Sequence, residues 1–224
     1  MNNLLFFASA LLIVAFSLLA VQRDKAVLIS WIALQSVLAN LFVLKQISLF
    51  GFNATASDVF AIGSLLGLNF LREKYGLVEG GKACKTAILA SFFCMIFFAV
   101  VSQIHLLYEP SALDTTQHAF EQILTPNPRI LLSSVFAFFT VQVFDLYFYA
   151  FLKRSLKNKN IILLNSLSLG TGQLLDTVLF TFLGLYGYVS DISDIILISY
   201  TIKMVAIATI VPFSYFAAQT KTTS

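Results

Sequence analysis

Ionisable residues are scarce in this chain. Lys, Arg, Asp and Glu make up 11% of its 224 residues, less than half of the roughly 25% carried by soluble domains. Cysteine is scarcer still. Cys84 and Cys94 lie in or beside one apolar run, give neither a disulfide framework nor a zinc spacing, and read as small buried apolar residues. His105 and His118 have no second ligand at a helical spacing and read as solvated loop residues, so no metal site is expected. The chain has no H-E-x-x-H, no G-x-S-x-G, no Walker A and no dinucleotide fingerprint. No cofactor and no enzymatic activity are expected. Its net charge of +3 is spread over short gaps and forms no basic face, which argues against nucleic acid as a partner.

Apolar residues are abundant: 58% of the chain, 23 of them Phe, with a mean hydropathy of +0.87. A surface of that composition suits lipid, since soluble monomers avoid large exposed apolar patches. A membrane-spanning helix needs about 20 mostly apolar residues, and seven runs qualify: Leu4–Val21, Val27–Phe50, Thr55–Leu71, Thr86–Leu107, Ile130–Leu152, Ile161–Tyr186 and Ile195–Phe216. The expected fold is all-α, a single integral membrane domain over residues 1–224. The first run lacks a basic n-region and a cleavage site, so it is kept as a helix. The third run contains Asp58, Gly63, Gly67 and Asn69, and the sixth contains Gly170 and Gly172. Such glycines mark either broken helices around a binding site or close helix–helix approach.

The gaps between runs alternate in charge. The first holds Arg23 and Lys25, the third Arg72, Lys74, Lys82 and Lys85, and the fifth Lys153, Arg154, Lys157 and Lys159, with Lys221 in the tail. The second gap is uncharged. The long fourth gap, His105–Arg129, is broken by Pro110, Pro126 and Pro128 and carries Glu109, Asp114 and Glu121, with Arg129 as an anchor at its edge. The sixth holds Asp191 and Asp194. The positive-inside rule then places the N-terminus outside and the C-terminus in the cytoplasm.

An ionisable side chain at mid-helix in lipid costs about 2.5–3.5 kcal/mol on insertion scales, and is normally kept for a partner, a cavity or a substrate. Asp145, Asp176 and Lys203 lie well inside apolar runs; Lys45, Asp58, Asn69 and Glu73 lie nearer helix ends. Two segments share a pattern, Gln142-x-x-Asp145-x-x-x-Tyr149 and Gln173-x-x-Asp176-x-x-x-Phe180. On a helix each pattern puts an amide, a carboxylate and a ring on one face. Such a stripe suits a planar heterocycle: the ring stacks, the amide donates and accepts, and the carboxylate accepts two parallel bonds from a guanidine-like edge. Tyr147 is a further ring for stacking. The plainer reading is polar contact between helices for packing alone. Lys203 is expected to pair with one of the aspartates. Paired intramembrane aspartates also occur in aspartyl proteases, but the glycine–aspartate contexts of that class are missing.

Several elements resemble the VUT family, the queuosine-precursor transporters. Asn69-Phe-Leu-Arg-Glu73-Lys-Tyr75-Gly76 is similar to its D-x-x-x-E-x-Y-G element. Arg129, Ser133, Gln142 and Asp145 resemble its R…S…Q-x-x-D helix, and Ser168, Gln173, Asp176, Thr177 and Phe180 its S…Q-x-x-D-[ST]-x-x-F helix. Tyr200, Lys203 and Pro212 resemble the final Y-x-x-K…P helix, and Asn40 and Lys45 the N-x-x-x-x-K element. The likeness covers residues 40–216. It departs at Asn69, where the family usually has Asp, and at Leu164, where many members have Arg. The resemblance implies import of a 7-deazaguanine nucleobase (7-cyano- or 7-aminomethyl-7-deazaguanine, or queuine) across a bacterial cytoplasmic membrane for salvage into tRNA queuosine. The substrate-binding residues it points to are Gln142, Asp145, Tyr149, Gln173, Asp176, Phe180, Asn69, Glu73 and Lys203. A second reading is a substrate-capture membrane subunit for a vitamin or purine, working with a separate ATPase module. Membrane lipids are expected around the bundle, and a homodimer is compatible with either reading.

Overall fold

In the computed structural model, which describes residues 1–43, 45–109, 116–124, 128–156, 160–187 and 192–219, the apolar runs form helices. Pro110, Asp114, Pro126, Lys157, Lys159, Asp191 and Lys221 lie outside the described residues. Helix α1 (Asn2–Arg23) passes into α2 (Lys25–Phe42) through Asp24 alone. The extended backbone of Asp24 makes the corner, and its carboxylate accepts from the Ala26 N–H at 3.0 Å, capping α2. That bond holds the Asp24 carboxyl below the usual carboxylate range.

Helix α2 stops at Phe42, short of the expected end at Phe50. Gln46–Leu49 (β1) and Phe52–Thr55 (β2) instead pair antiparallel in a small hairpin. In β1, Gln46 and Ser48 are exposed while Leu49 is buried, a period-two pattern that a count of apolar residues passes over. Phe50 and Gly51 form the tip with φ of 52° and 86°, the left-handed pair whose twist matches that of a hairpin. Asn2 and Asn3 bond the hairpin at Ser48 O and Phe50 N, so it sits at the N-terminal end of α1.

Helix α3 (Asp58–Leu106) has 49 residues, about 74 Å if straight and far longer than a bilayer core. It breaks at Gly76, whose φ of 77° and ψ of 176° belong to a region open essentially to glycine alone. The two arms, 58–75 and 77–106, fold back on each other. The Cys84 thiol donates to Leu68 O at 3.2 Å, although 16 residues would separate them by about 24 Å along a straight helix. Gly80 permits the close turn, since a Cβ there would lie 2.6 Å from Leu71 O and 2.7 Å from the Arg72 Cα. Six helices of the described residues are long and apolar enough to cross a membrane. With its two arms taken separately, α3 gives helical segments at the third and fourth of the seven expected runs. The second arm shows lipid a stripe of Leu89, Phe93, Phe97, Val100 and Ile104. Cys94 is exposed on that arm, which corrects its assignment as buried; only Cys84 is.

The glycines inside the spans serve close approach. Gly63 and Gly67 lie on one face of α3, and a Cβ at Gly67 would be 2.7 Å from Ile32 of α2. Helix α6 (Ile161–Phe180) runs unbroken through Gly170 and Gly172, where a Cβ would meet Met204 and Leu65. It widens only later, into a π turn at Thr181–Leu185. Between α3 and α5 (Pro128–Ser155), a short helix α4 (Gln117–Leu124) exposes Phe120 and Ile123. Helix α7 (Ile192–Ile210) ends ahead of Pro212, and a 3-10 turn at Val211–Phe213 leads into α8 (Ser214–Gln219). His105 is exposed in the last turn of α3, and His118 is exposed in α4.

Candidate functional site

The first arm of α3 and helices α5, α6 and α7 enclose most of the polar side chains that sequence singled out. They fall into successive levels. Nearest the hairpin, Lys203 of α7 donates to Asp176 Oδ2 of α6 at 2.7 Å and to Thr177 Oγ1 at 3.1 Å. Its ammonium lies 3.4 Å from Asp58 Oδ1 at the start of α3, and Asp58 also accepts from Thr55 Oγ1 at 3.0 Å. One buried cation thus serves two carboxylates from different helices. If all three are ionised the cluster carries one net negative charge.

A cavity of about 430 Å³ opens beside this cluster, lined by Gln46, Asn53, Asp58, Phe180, Ser199 and Lys203 among others. Its volume lies within the range of small-molecule pockets. A narrower space of about 40 Å³, bordered by Asp58, Asp176, Phe180 and Lys203, adjoins the same residues. Deeper in the bundle, Gln142, Gln173, Ser64 and Asp176 line a space of only about 10 Å³. Both polar atoms of Gln142 and the carbonyl oxygen of Gln173 are buried without a protein partner. Native interiors seldom leave amides so, and when they do, water or a ligand is the usual explanation.

One turn further on, Asp145 is fully buried and already engaged. Arg72 Nη1 donates to Asp145 Oδ2 at 3.1 Å and to Asn69 Oδ1 at 3.0 Å, while Ser168 Oγ donates to Asp145 Oδ1. The Arg72 guanidinium lies over the Tyr149 ring, 5.0 Å from its centroid. The last level holds Glu73, which accepts from the Tyr149 hydroxyl and, at 2.7 Å, from Lys153.

The expected stripes therefore exist as faces. Gln142, Asp145 and Tyr149 are all buried on one side of α5, and Gln173, Asp176 and Phe180 follow one side of α6. The two aspartates do not converge on one pocket. Asp176 belongs with Lys203 near the cavity, whereas Asp145 belongs with Arg72 deeper down. Lys203 pairs as expected and also takes in Asp58. Tyr147 is 64% exposed on the opposite face of α5, so it does not stack in the bundle.

Sequence reading missed Arg72. Its neighbours Glu73 and Lys74 drew it into a basic loop, yet it is 1% exposed inside the first arm. The signal was its period, because Leu65, Asn69, Arg72 and Glu73 recur at helical spacing along one face. Lys153, also read as a loop residue, is tied to Glu73. Leu164 packs with Tyr149 and Leu152. It lies beside a ring covered by the Arg72 guanidinium from another helix. Lys45 is exposed near the hairpin, and Asn40 is buried and donates to Met95 Sδ at 2.8 Å.

An apolar helical bundle with ion pairs and unpartnered amides along its interior, and a ligand-sized cavity at one end, has the build of a multi-pass membrane transporter. The family model described as "Putative vitamin uptake transporter" matches residues 55–217, most of the chain and all the residues just described from Thr55 to Lys203, and the protein belongs to that family. It is 35% identical over 198 residues to the "Probable queuosine precursor transporter" of Bacillus subtilis (strain 168), covering 86% of this chain and 84% of the relative. No solved structure matches.

Proposed function

We propose that the protein imports a guanine-like base of the 7-deazaguanine class, a queuosine precursor, across a bacterial cytoplasmic membrane. The observation that carries this reading is the Asp58–Lys203–Asp176 cluster beside a cavity of about 430 Å³ in a member of an uptake family. Keeping three ionisable groups in lipid is costly, and their edge on the cavity offers acceptors for an amino-pyrimidinone edge. Phe180 offers a flat face, and Gln173 and Gln142 continue the line inward. The name of the Bacillus subtilis relative supports the same substrate.

In this reading the N-terminus and hairpin face outward and the basic gaps face the cytoplasm, so the cavity takes substrate from outside. One chain supplies all the residues of this site, so the site needs none from a second copy. The chain moves the base without altering it and acts as a carrier, not an enzyme. In this reading it works as a carrier and not as the capture subunit of an ATPase module.

The test is tRNA queuosine in a bacterial strain that cannot make the base. Cells are fed each precursor with and without this gene, then with Asp176→Asn. Wild type should restore queuosine from at least one precursor, and Asp176→Asn should lower the yield at least tenfold at equal protein level. Restoration by Asp176→Asn at the wild-type rate would remove the reading of this site. Uptake of labelled base by proteoliposomes holding this chain alone separates a carrier from a capture subunit, and recovery of unchanged base from their lumen separates a carrier from an enzyme.

A further inference from the structure

The polar groups around Arg72 are more numerous than the ion pair requires. Arg72 uses only Nη1, for both Asp145 and Asn69, while Nε and Nη2 are buried without a protein partner. Asn69 Nδ2 is in the same condition, as are both polar atoms of Gln142 one turn before Asp145. These residues are each nine-tenths buried or more. Asp145 has spare capacity too. A carboxylate offers about four lone-pair positions, and one bond from Arg72 and one from Ser168 leave room for two more.

We propose that Arg72 and Asp145 form an inner substrate station, deeper than the outer cavity, in which Arg72 selects a base bearing a ring carbonyl. This rests on the uptake reading above and adds a residue and a specificity to it. A guanine-like base presents two N–H donors beside one carbonyl acceptor. Asp145 supplies the acceptors for the first, and the free edge of the guanidinium supplies parallel donors for the second. An analogue with an amino group in place of the carbonyl sets donors against the guanidinium and, because its ring nitrogen then carries no proton, a lone pair against Asp145; the two mismatches together make the station selective. Tyr149, beneath the guanidinium, keeps Arg72 in register.

At the neighbouring level the space is about 10 Å³, room for one water at most. The station therefore opens only when the first arm of α3 parts from α5 and α6, after the base has left the cavity. The cation is then positioned by its partners in advance of the substrate.

The test is competition in proteoliposomes between a 6-oxo base (7-cyano-7-deazaguanine or guanine) and its 2,6-diamino counterpart. The wild-type chain is compared with Arg72→Lys, which keeps the charge but loses the planar fork, and with Arg72→Gln/Asp145→Asn, which removes both charges together. Wild type should prefer the 6-oxo base by a factor of ten to a hundred, on the order of what one forked arginine contact gives between bases. Arg72→Lys, in which Asp145 still rejects the unprotonated ring nitrogen, should lose about threefold of that preference and the double variant at least tenfold, while binding at the outer cavity, read by equilibrium dialysis of labelled base, changes less than threefold. An unchanged preference in either folded variant overturns the inference and leaves the uptake reading standing. Failure of both variants to reach the membrane folded assigns the pair a purely structural role and also overturns it. Absence of uptake by wild type overturns the uptake reading first, and the inner station with it.

Discussion

Replacing Lys203 by methionine removes the cation shared by Asp58 and Asp176 and leaves a side chain of similar length in its place. At the observed separations of 2.7 and 3.4 Å, the attractions removed are about 6 and about 5 kcal/mol at an effective dielectric of 20. These gross figures overstate the loss, because an abandoned carboxylate can take up a proton. From pH 7 that costs no more than about 4 kcal/mol for a group that ordinarily titrates near 3.9. Breaking a buried pair by removing one partner typically costs about 3–5 kcal/mol, and a loss in that range is expected for Lys203→Met. Proton uptake also gives the variant a pH dependence. Each carboxylate that takes up a proton on folding loses about 1.4 kcal/mol of stability per unit rise in pH. Lys203→Met should therefore be more stable at pH 5.5 than at pH 7.5, with the gap to wild type narrowing on acidification. Thermal unfolding in detergent, followed by loss of the monodisperse size-exclusion peak, measures this, and Asp58→Asn/Asp176→Asn/Lys203→Met should regain most of the deficit. A single variant as stable as wild type at pH 7.5, with no dependence on pH, would refute the shared-cation geometry.

Two further substitutions probe the end of the bundle beyond Arg72. Gly76→Ala places a Cβ on a backbone at φ 77° and ψ 176°; about 1–3 kcal/mol of strain is expected, read as a lowered unfolding temperature and a smaller folded fraction in the membrane. Tyr149→Phe removes the hydroxyl that donates to Glu73 but leaves Lys153 at 2.7 Å. A loss of about 1–2 kcal/mol is expected, and the double variant Tyr149→Phe/Glu73→Gln should lose less than the two single variants added together, as a double-mutant cycle in the same unfolding assay would show.

Much of the fold was legible in order along the chain, because a membrane span depends on local length and apolar content. All seven runs are helical over most of their length; the seventh, expected to continue to Phe216, instead ends as an α-helix at Ile210 and tightens into a 3-10 turn at Pro212, whose ring cannot continue the helix. The Gln-x-x-Asp stripes were legible for the same reason, since i, i+3 and i+4 positions share a face whatever the helix packs against. The helix boundaries were less so. The α2 run ended early because Gln46–Leu49 alternates, and its apolar residues alone did not distinguish a strand from a helical extension.

The sequence by itself determined that the chain crosses a membrane repeatedly and which faces of α5 and α6 carry amides, carboxylates and rings. Only the tertiary structure decided which charges meet. Arg72 and Asp145 are 73 positions apart, and Glu73 and Lys153 are 80. No local period links such pairs; they are set by how closely helices approach, which depends on the fold-back at Gly76 and on the small residues between helices. Because that packing offsets α5 against α6 along the bundle, two identical-looking aspartates came to occupy different levels, one beside a cavity and one held by arginine.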